Sequence, residues 1–208
     1  MEIISLLSSS LKDRTEGQNK KVALMCIENP DLLLEIADSF GKVNDKLLGD
    51  CVEIFTMVAQ SDPVLVYKYA EDLIPLLSSK NTRVRWEAMH SIALITTLIP
   101  EVINSLLLAL KEIIINDKSV IVRDYAVKSI SSLSGVKREY AIRTFPVLME
   151  MLELWQDRHG AGIIEGLTNL VPLMPEVKGE IKKIIEEFEN SERGTVRKAA
   201  KKLIKQLK

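Results

Sequence analysis

The apolar positions of the chain recur with helical spacing inside a longer period of 37 to 38 residues. Three segments align without gaps and share Val-Arg, a small residue three positions after the arginine, and apolar residues four and seven positions after that. The small residues, which we call anchors, are Ala88, Ala126 and Ala200. The first two anchors are 38 residues apart and the last two are 74 apart, or two periods. This self-similarity predicts a chain built from stacked copies of one helical unit.

The period places two further anchors, Cys51 and Ile163, each followed by apolar residues at the same offsets of four and seven. Prolines recur as well, 12 residues after three of the anchors, at Pro63, Pro100 and Pro175. A proline is well tolerated in the first turn of a helix, where its missing N–H has no helical partner to lose. Each unit is therefore expected to hold an anchor helix followed by a second helix.

Turns rich in Asn, Asp and Ser separate the units and offer N-cap side chains, as in residues 79–82, 116–119 and 190–192. About six pairs of helices follow from the pattern, and no segment alternates as a strand would. The predicted helices are residues 2–12, 17–28, 31–40, 45–60, 63–78, 82–98, 101–115, 119–133, 138–155, 159–172, 176–189 and 193–207.

A turn aspartate followed by Val-Arg and a small residue, as in Asp117, Arg123 and Ala126, resembles the HEAT repeat of the HEAT/armadillo-like family. The prolines inside two predicted second helices, Pro75 and Pro146, are similar to those of HEAT first helices. The resemblance covers nearly the whole chain. It implies an all-α fold, a right-handed α–α superhelix (a HEAT-like solenoid) of about six helix pairs.

The resemblance also implies a single repeat domain over residues 1–208, with a looser N-terminal pair in residues 1–42. One helix pair cannot bury its apolar stripe alone, so neighbouring units share a continuous core and the end units need a polar outer face. The last helix fits this need, because residues 193–208 hold seven basic residues and no acidic one. The apolar residues of 3–11 are expected to form a short helix that closes the other end.

Arginines recur three residues before the anchors in three units, at Arg85, Arg123 and Arg197. These arginines resemble those that link one HEAT repeat to the next. The resemblance implies that each bonds the turn Asp or Asn and carbonyl groups of an adjacent repeat.

The resemblance further implies that the anchor helices line a concave face. Positions two before the anchor and two, five and nine after it fall on one side of a helix, since they are spaced by four, three and four residues. This stripe is the predicted binding groove, with an exposed tryptophan as a plausible hot spot for a partner. Its candidate partner-binding residues are Trp86, His90, Asp124, Lys128, Glu165 and Glu53, and its candidate anion-binding residues are Lys198, Lys202 and Lys205.

Charge and motifs narrow the function classes. Lys and Arg number 28 against 29 Asp and Glu, a net charge of -1 that disfavours general nucleic-acid binding. The sequence has no HExxH or CxxC spacing, no phosphate-binding glycine loop and no GxSxG elbow, so we expect no catalytic residue, metal or cofactor. Cys26 and Cys51 fit the apolar pattern as buried thiols. Without a signal peptide or membrane span, a cytoplasmic protein is expected.

The leading hypothesis is a non-catalytic scaffold that binds a protein or peptide on the concave face. The alternative is a nucleic-acid-binding protein resembling HEAT-like DNA glycosylases, for which Trp86 and Asp124 are the similar residues. The iron ligands of deoxyhypusine hydroxylase, His followed by Glu, are missing, because Ser91 follows His90 and Gly160 follows His159. A HEAT-type lyase that attaches bilins has no residue here to support it, and fold alone does not choose among partners.

Overall fold

A computed structural model describes residues 2–154 and 158–207, and all regular secondary structure in this part of the chain is helical. The chain divides into two compact units, Met1–Ile99 and Pro100–Lys208. Lys208 and the last residue of the predicted helix 138–155 lie outside the described residues. The single-domain expectation stays a prediction.

Unit 1 contains five α-helices and five short stretches of 3₁₀ helix in its described residues. The α-helices are α1 (Gly17–Glu28), α2 (Leu32–Ala37), α3 (Asp45–Ser61), α4 (Ala70–Leu73) and α5 (Thr82–Ile95). The 3₁₀ turns are Ile3–Leu6, Pro63–Leu65, Tyr67–Tyr69, Ile74–Ser78 and Thr96–Leu98.

Unit 2 contains seven α-helices in its described residues. They are α6 (Pro100–Ser105), α7 (Leu107–Asn116), α8 (Val120–Leu133), α9 (Arg138–Leu154), α10 (Gly160–Leu170), α11 (Lys178–Ile185) and α12 (Gly194–Gln206). Turns of 3₁₀ helix flank α11, at Pro175–Val177 and Glu186–Asn190. No helix in the described residues is both long and apolar enough to cross a membrane.

The predicted period is confirmed by the setting of its anchors. All five anchors are fully buried, each on its own helix, at Cys51, Ala88, Ala126, Ile163 and Ala200. Helix α3 packs against α5 in unit 1, and α10 packs against both α8 and α12 in unit 2. We call these five the anchor helices. Small or slender anchors allow the close packing of like helices, and the apolar residues four and seven positions later fill the core.

Three anchor helices begin at a capping side chain that lies seven residues before the anchor. Asn44 accepts from the N–H groups of residues 46 and 47, Asn81 from those of 83 and 84, and Ser119 from that of 122. A cap of this kind satisfies N–H groups that have no partner inside the helix and contributes about 1 kcal/mol. Residues of the predicted turns 79–82 and 116–119 therefore set the start of α5 and α8. The equivalent residue of α12, Arg193, makes no side-chain cap bond.

The predicted helix 63–78 is wrong as one continuous α-helix, because it breaks into 3₁₀ turns around the four-residue α4. Pro75 is the physical reason for the end of α4 at Leu73, since proline removes one helical N–H and its ring collides with the carbonyl group one turn earlier. The two 3₁₀ turns before α4 lie outside the reach of Pro75. Pro146, by contrast, lies inside the continuous helix α9.

The predicted N-terminal helix 2–12 is also wrong beyond its first turn. After the 3₁₀ turn the backbone is held by side chains from other elements: the N–H of Ser8 donates to Asn19 Oδ1 at 2.8 Å, and that of Ser9 donates to Asp50 Oδ2 at 2.7 Å. Lys12 then takes a positive φ of 56°. Side-chain oxygens of Asn19 and Asp50 thus take the N–H groups that a continuing helix would bond to its own carbonyls, which explains the short helix.

Two of the repeated arginines bond carbonyl groups, as the resemblance implies, but in the turn directly before their own helix. Arg85 Nη1 donates to the carbonyl of Ser79 at 2.8 Å, and Arg197 Nη1 donates to that of Ser191 at 2.7 Å. Both carbonyls lie six residues before the arginine, so one geometry recurs in both units. The same role for Arg123 stays a prediction.

Candidate functional site

Hydroxyl groups join neighbouring anchor helices at one repeated position. Thr56 Oγ1 donates to the carbonyl of Glu87 at 3.0 Å in unit 1, and Ser131 Oγ donates to the carbonyl of Gly162 at 2.8 Å in unit 2. The two residues are 31 apart in each pair, and each hydroxyl lies five positions after its anchor. The same bond thus fixes the register of one repeat against the next in both units.

This bond corrects part of the predicted outward-facing stripe. The position five residues after the anchor is buried in three repeats, at Thr56, Ala93 and Ser131. A side chain there points about 140° away from the anchor around the helix axis, which in Thr56 and Ser131 directs it at the next anchor helix and not at solvent. Gly49, two residues before its anchor, is buried as well, because the side chain of Arg83 covers it.

Most of the predicted binding residues do lie on the surface. The exposed ones are Asp124, Lys128, Glu165, Lys198, Lys202 and Lys205. Trp86 and His90 are partly exposed, and the side chain of Glu53 is mostly buried.

Glu53 belongs to a polar cluster that ties three helices of unit 1 together. Arg83 on α5 lies 2.9 Å from Glu53 and 2.8 Å from Asp50, both on α3. Asn19 on α1 donates to Glu53 at 2.6 Å. Burial by itself would raise the pKa of Asp50, but hydrogen bonds from Ser9 and the charge of Arg83 outweigh it and hold the pKa below its usual value. Glu53 is therefore committed to the fold.

A second acidic side chain, Glu87, lies buried next to this cluster. Burial raises the pKa of Glu87 to about 7, and the negative charge of Glu53 adds to the effect, while Thr56 and Arg83 oppose it. The same region holds a bond between the hydroxyls of Thr56 and Ser91, 3.0 Å apart. Unit 1 thus keeps a titratable group inside its interface between α3 and α5.

In unit 2, Asp124 is paired with a histidine that the sequence did not link to it. Asp124 Oδ1 lies 2.5 Å from His159 Nδ1, with the aspartate side chain 54% exposed and the histidine side chain buried. His159 directly precedes α10, so this pair joins the first turn of α8 to the start of α10. No role is predicted for His159 from the sequence.

The structure brings Glu165, Lys198 and Lys202 together around one groove of unit 2. The groove lies between α10 and α12 and has a volume of about 350 Å³. Small side chains form its floor, and polar ones form its walls. Its lining residues are Ala161, Gly162, Glu165, Thr168, Asn169, Thr195, Lys198, Ala199 and Lys202.

Small residues that line the groove lie directly before the last two anchors. Gly162 and Ala199 occupy this position in α10 and α12, where α3 and α5 carry Asp50 and Glu87. A Cβ added at Gly162 would come within 3.1 Å of Val127, so the glycine also lets α8 approach α10 closely. This small pair is a sequence signal for the groove that the repeat alignment contains and the predicted stripe misses.

Asn169 and Thr195 are groove residues that the stripe did not include. The amide Nδ2 of Asn169 donates to the carbonyl of Ser131 at 2.9 Å, which fixes the side chain at the edge of the groove. With Thr168 and Glu165, the α10 wall therefore presents both hydrogen-bond donors and acceptors.

The α12 wall is basic and continues onto a second shallow depression next to the groove. This depression is lined by residues of α12 alone, Gly194, Arg197, Lys198, Lys201, Lys202 and Lys205. Across the described residues, no carboxylate lies within 4 Å of the ammonium groups of Lys198, Lys201, Lys202 and Lys205. The described residues also contain no group of three or more His, Cys, Asp or Glu side chains that could hold a metal ion.

Comparisons with known proteins bear on the fold. No protein-family model matches the sequence, and no curated protein matches it either. Among solved structures, the chain is similar to a computationally designed armadillo repeat protein for modular peptide recognition. The TM-score is 0.68 and the identity 15%, over 98% of this chain and 97% of that one.

Two engineered proteins solved by a structural genomics consortium are also similar, both at 13% identity and both over 99% of this chain. One has a TM-score of 0.64 and is covered over 94% of its length. The other has a TM-score of 0.65, and this chain spans 57% of its length. Likeness at these identities shows the fold, and with the repeated anchors and caps it places the chain among all-α repeat proteins of HEAT/armadillo-like fold.

Proposed function

We propose that this protein is a non-catalytic scaffold that holds a peptide segment of a partner protein in the groove between α10 and α12. The observation that carries the proposal is the groove itself, an opening of about 350 Å³ with a floor of small residues and walls of polar ones. A peptide needs such a combination, because its backbone must exchange hydrogen bonds with the walls while its side chains fill the floor.

The likeness to a designed repeat protein for modular peptide recognition supports the same proposal for this chain. Peptide binding on a rigid repeat surface costs little ordering of the scaffold, so even a short groove can give measurable affinity. As part of the proposal we place the protein in the cytoplasm, where the buried thiols of Cys26 and Cys51 would remain reduced.

The test is selection of binding peptides from a random display library with the full chain as bait, followed by a groove-filling substitution. Ala161 lies on the groove floor and is partly exposed, so Ala161→Trp should fill the groove without disturbing the core. Ala109→Trp is the matched control, because Ala109 is an exposed alanine on α7 outside the groove.

Selected peptides should bind the native chain and the Ala109→Trp variant equally, and bind the Ala161→Trp variant at least about ten-fold more weakly. Selected peptides that bind all three proteins alike would contradict the proposal, as would a library from which no peptide is enriched.

The predicted partner-binding residues outside the groove stay part of the proposal within their own units, Trp86 and His90 in unit 1, and Asp124 and Lys128 in unit 2. Trp86 is the strongest of them, since a partly exposed tryptophan is a frequent hot spot. Loss of affinity for a selected peptide on Trp86→Ala would support a binding role for Trp86, and unchanged affinity would restrict binding to unit 2. Glu53 is the weakest candidate because Arg83 and Asn19 already engage it.

The alternative hypothesis, nucleic-acid binding similar to HEAT-like DNA glycosylases, gains no support from the comparisons. Its measurement is binding to duplex DNA across a salt series, since phosphate contacts make affinity fall steeply with salt.

A further inference from the structure

We propose that the segment held in the groove between α10 and α12 is acidic, with its carboxylates against Lys198, Lys202 and Lys205. The inference rests on the proposed function and names the chemistry of the partner. It starts from the concentration of exposed positive charge on α12, for which the described residues of the chain supply no counter-charge.

The charge composition of α12 sets it apart. Among the α-helices of the described residues, it is the one that carries basic residues and no acidic residue. Its four lysines, Lys198, Lys201, Lys202 and Lys205, are neighbours within about one turn of each other. Like charges at this spacing repel one another. An anion that binds between these lysines is attracted to them and also relieves their mutual repulsion.

A solvated end cap would also explain a basic helix, but it would not explain where these lysines lie. Lys198 and Lys202 line the groove, opposite Glu165 and Asn169 on α10. The lining residues follow both helices, so the groove runs parallel to α12. From Thr195 to Lys202 it extends for about 10 Å, the length of about three residues of an extended peptide.

The spacing of the lysines fits alternate side chains of such a peptide. Lys198 and Lys202 are separated by about 6 Å along the helix axis, and alternate side chains of an extended chain are about 6.6 Å apart. A segment with carboxylates at every second position can therefore set one against each lysine, with Lys205 available for a third.

The opposite wall favours a peptide over a nucleic acid. Glu165 is exposed in the groove and repels any anion on its own side, but it can accept a hydrogen bond from a peptide N–H. A peptide can present N–H groups to α10 and carboxylates to α12, whereas a phosphate backbone has no donor for Glu165. The amide of Asn169, oriented by its bond to Ser131, offers a further acceptor through Oδ1. An acidic peptide carries both the anions and the N–H donors that the two walls require.

The experiment is a fluorescence anisotropy titration of the full chain with a fluorescein-labelled dodecapeptide in which Asp alternates with Gly. A peptide with Asn in place of every Asp is the neutral probe. The variant is Lys198→Glu/Lys202→Glu, and the control of equal charge change is Lys178→Glu/Lys183→Glu, since both control lysines are exposed on α11 outside the groove. Thermal unfolding checks that each variant is folded.

The acidic probe should bind at least about ten-fold more tightly than the neutral one. Its affinity should fall at least about ten-fold in the Lys198→Glu/Lys202→Glu variant and less than about two-fold in the control, and it should weaken with added salt. Equal binding of both probes would overturn the inference, as would equal effects of the two double variants or stronger competition by duplex DNA than by unlabelled acidic peptide.

Failure of the inference is distinct from failure of the proposed function. Library peptides that lose affinity on Ala161→Trp but carry no excess of Asp or Glu, and ignore the lysine substitutions, would overturn the acidic partner while the peptide scaffold stands. Peptides that ignore Ala161→Trp would overturn the scaffold itself.

Discussion

Ser131 on α8 donates its hydroxyl proton to the carbonyl of Gly162 on α10, and its oxygen would lie 2.7 Å from a Cβ built on Gly166. One serine therefore both bonds the neighbouring helix and limits what that helix can carry. Ser134, which directly follows α8, donates its hydroxyl to the carbonyl of Gly166 at 2.9 Å. Two glycines on α10 thus meet two serines at the C-terminal end of α8, and the close approach places α10 where its outer face can form one wall of the groove.

Gly166→Ala should destabilise the protein, because the new methyl group would also come within 2.9 Å of Leu148. Overpacking of this kind costs about 1 to 3 kcal/mol, against which the better helix propensity of alanine returns about 1 kcal/mol. Urea denaturation followed by circular dichroism measures the change. Gly179→Ala on α11 is the matched control, since nothing lies within 4 Å of its added Cβ, and it should be neutral or stabilising. Equal effects of the two substitutions would refute the close-packing account.

Stability should fall as the pH rises from about 4.5 to about 7, because of Glu87. The pKa of this carboxyl is raised by burial to about 7, above its ordinary value of 4.5, so the folded state holds a proton that the unfolded state has lost in this range. The contribution is fully present below the unfolded pKa and disappears as the pH passes the folded pKa. Its upper limit is on the order of 3 kcal/mol.

Glu87→Gln should remove this pH dependence and raise the free energy of unfolding at pH 8 more than at pH 5. Urea denaturation of both proteins at the two pH values gives the comparison. Asp50 contributes with the opposite sign, because its pKa is lowered and its stabilisation is lost only as the pH falls through the acid range. A native chain whose difference between pH 5 and pH 8 is unaffected by Glu87→Gln would contradict this role for Glu87.

Asn81→Ala should lower the free energy of unfolding by about 1 kcal/mol, since Asn81 Oδ1 caps α5 and Nδ2 also donates to the carbonyl of Asp45 at 3.3 Å.

A cap can also be added, at the start of α12. Arg193 precedes α12 without a side-chain cap bond, so Arg193→Asn should stabilise the protein by a few tenths to about 1 kcal/mol. Chemical denaturation of the pair tests whether the position seven residues before the anchor acts as the cap throughout the repeat.

The sequence was sufficient for the anchors and the caps because both are local and periodic. A buried anchor recurs in all five repeats, and an Asn or Ser lies seven residues before it in three of them, at Asn44, Asn81 and Ser119. The break at Pro75 was within reach of the same reasoning, because proline acts on its own helix.

The contacts between helices were harder to foresee. The outward direction expected for Thr56 and Ser131 assumed that a helix has one buried face, whereas α3 also packs against α5, and α8 also packs against α10. Arg83 received no role, because its partners Asp50 and Glu53 belong to another helix some thirty residues away. The groove depends on two adjacent helices having small residues in register, at Gly162 and Ala199, a relationship that only the three-dimensional arrangement makes visible.

The most direct test of a peptide-binding groove between α10 and α12 is a heteronuclear NMR titration of the labelled full chain with a library-selected peptide. The account predicts that the largest amide shift changes fall on Ala161, Gly162, Glu165, Asn169 and Lys198, with those of unit 1 helices α1 to α4 unchanged. Shift changes centred on α1 to α4, or changes in unit 2 that spare α10 and α12, would contradict it.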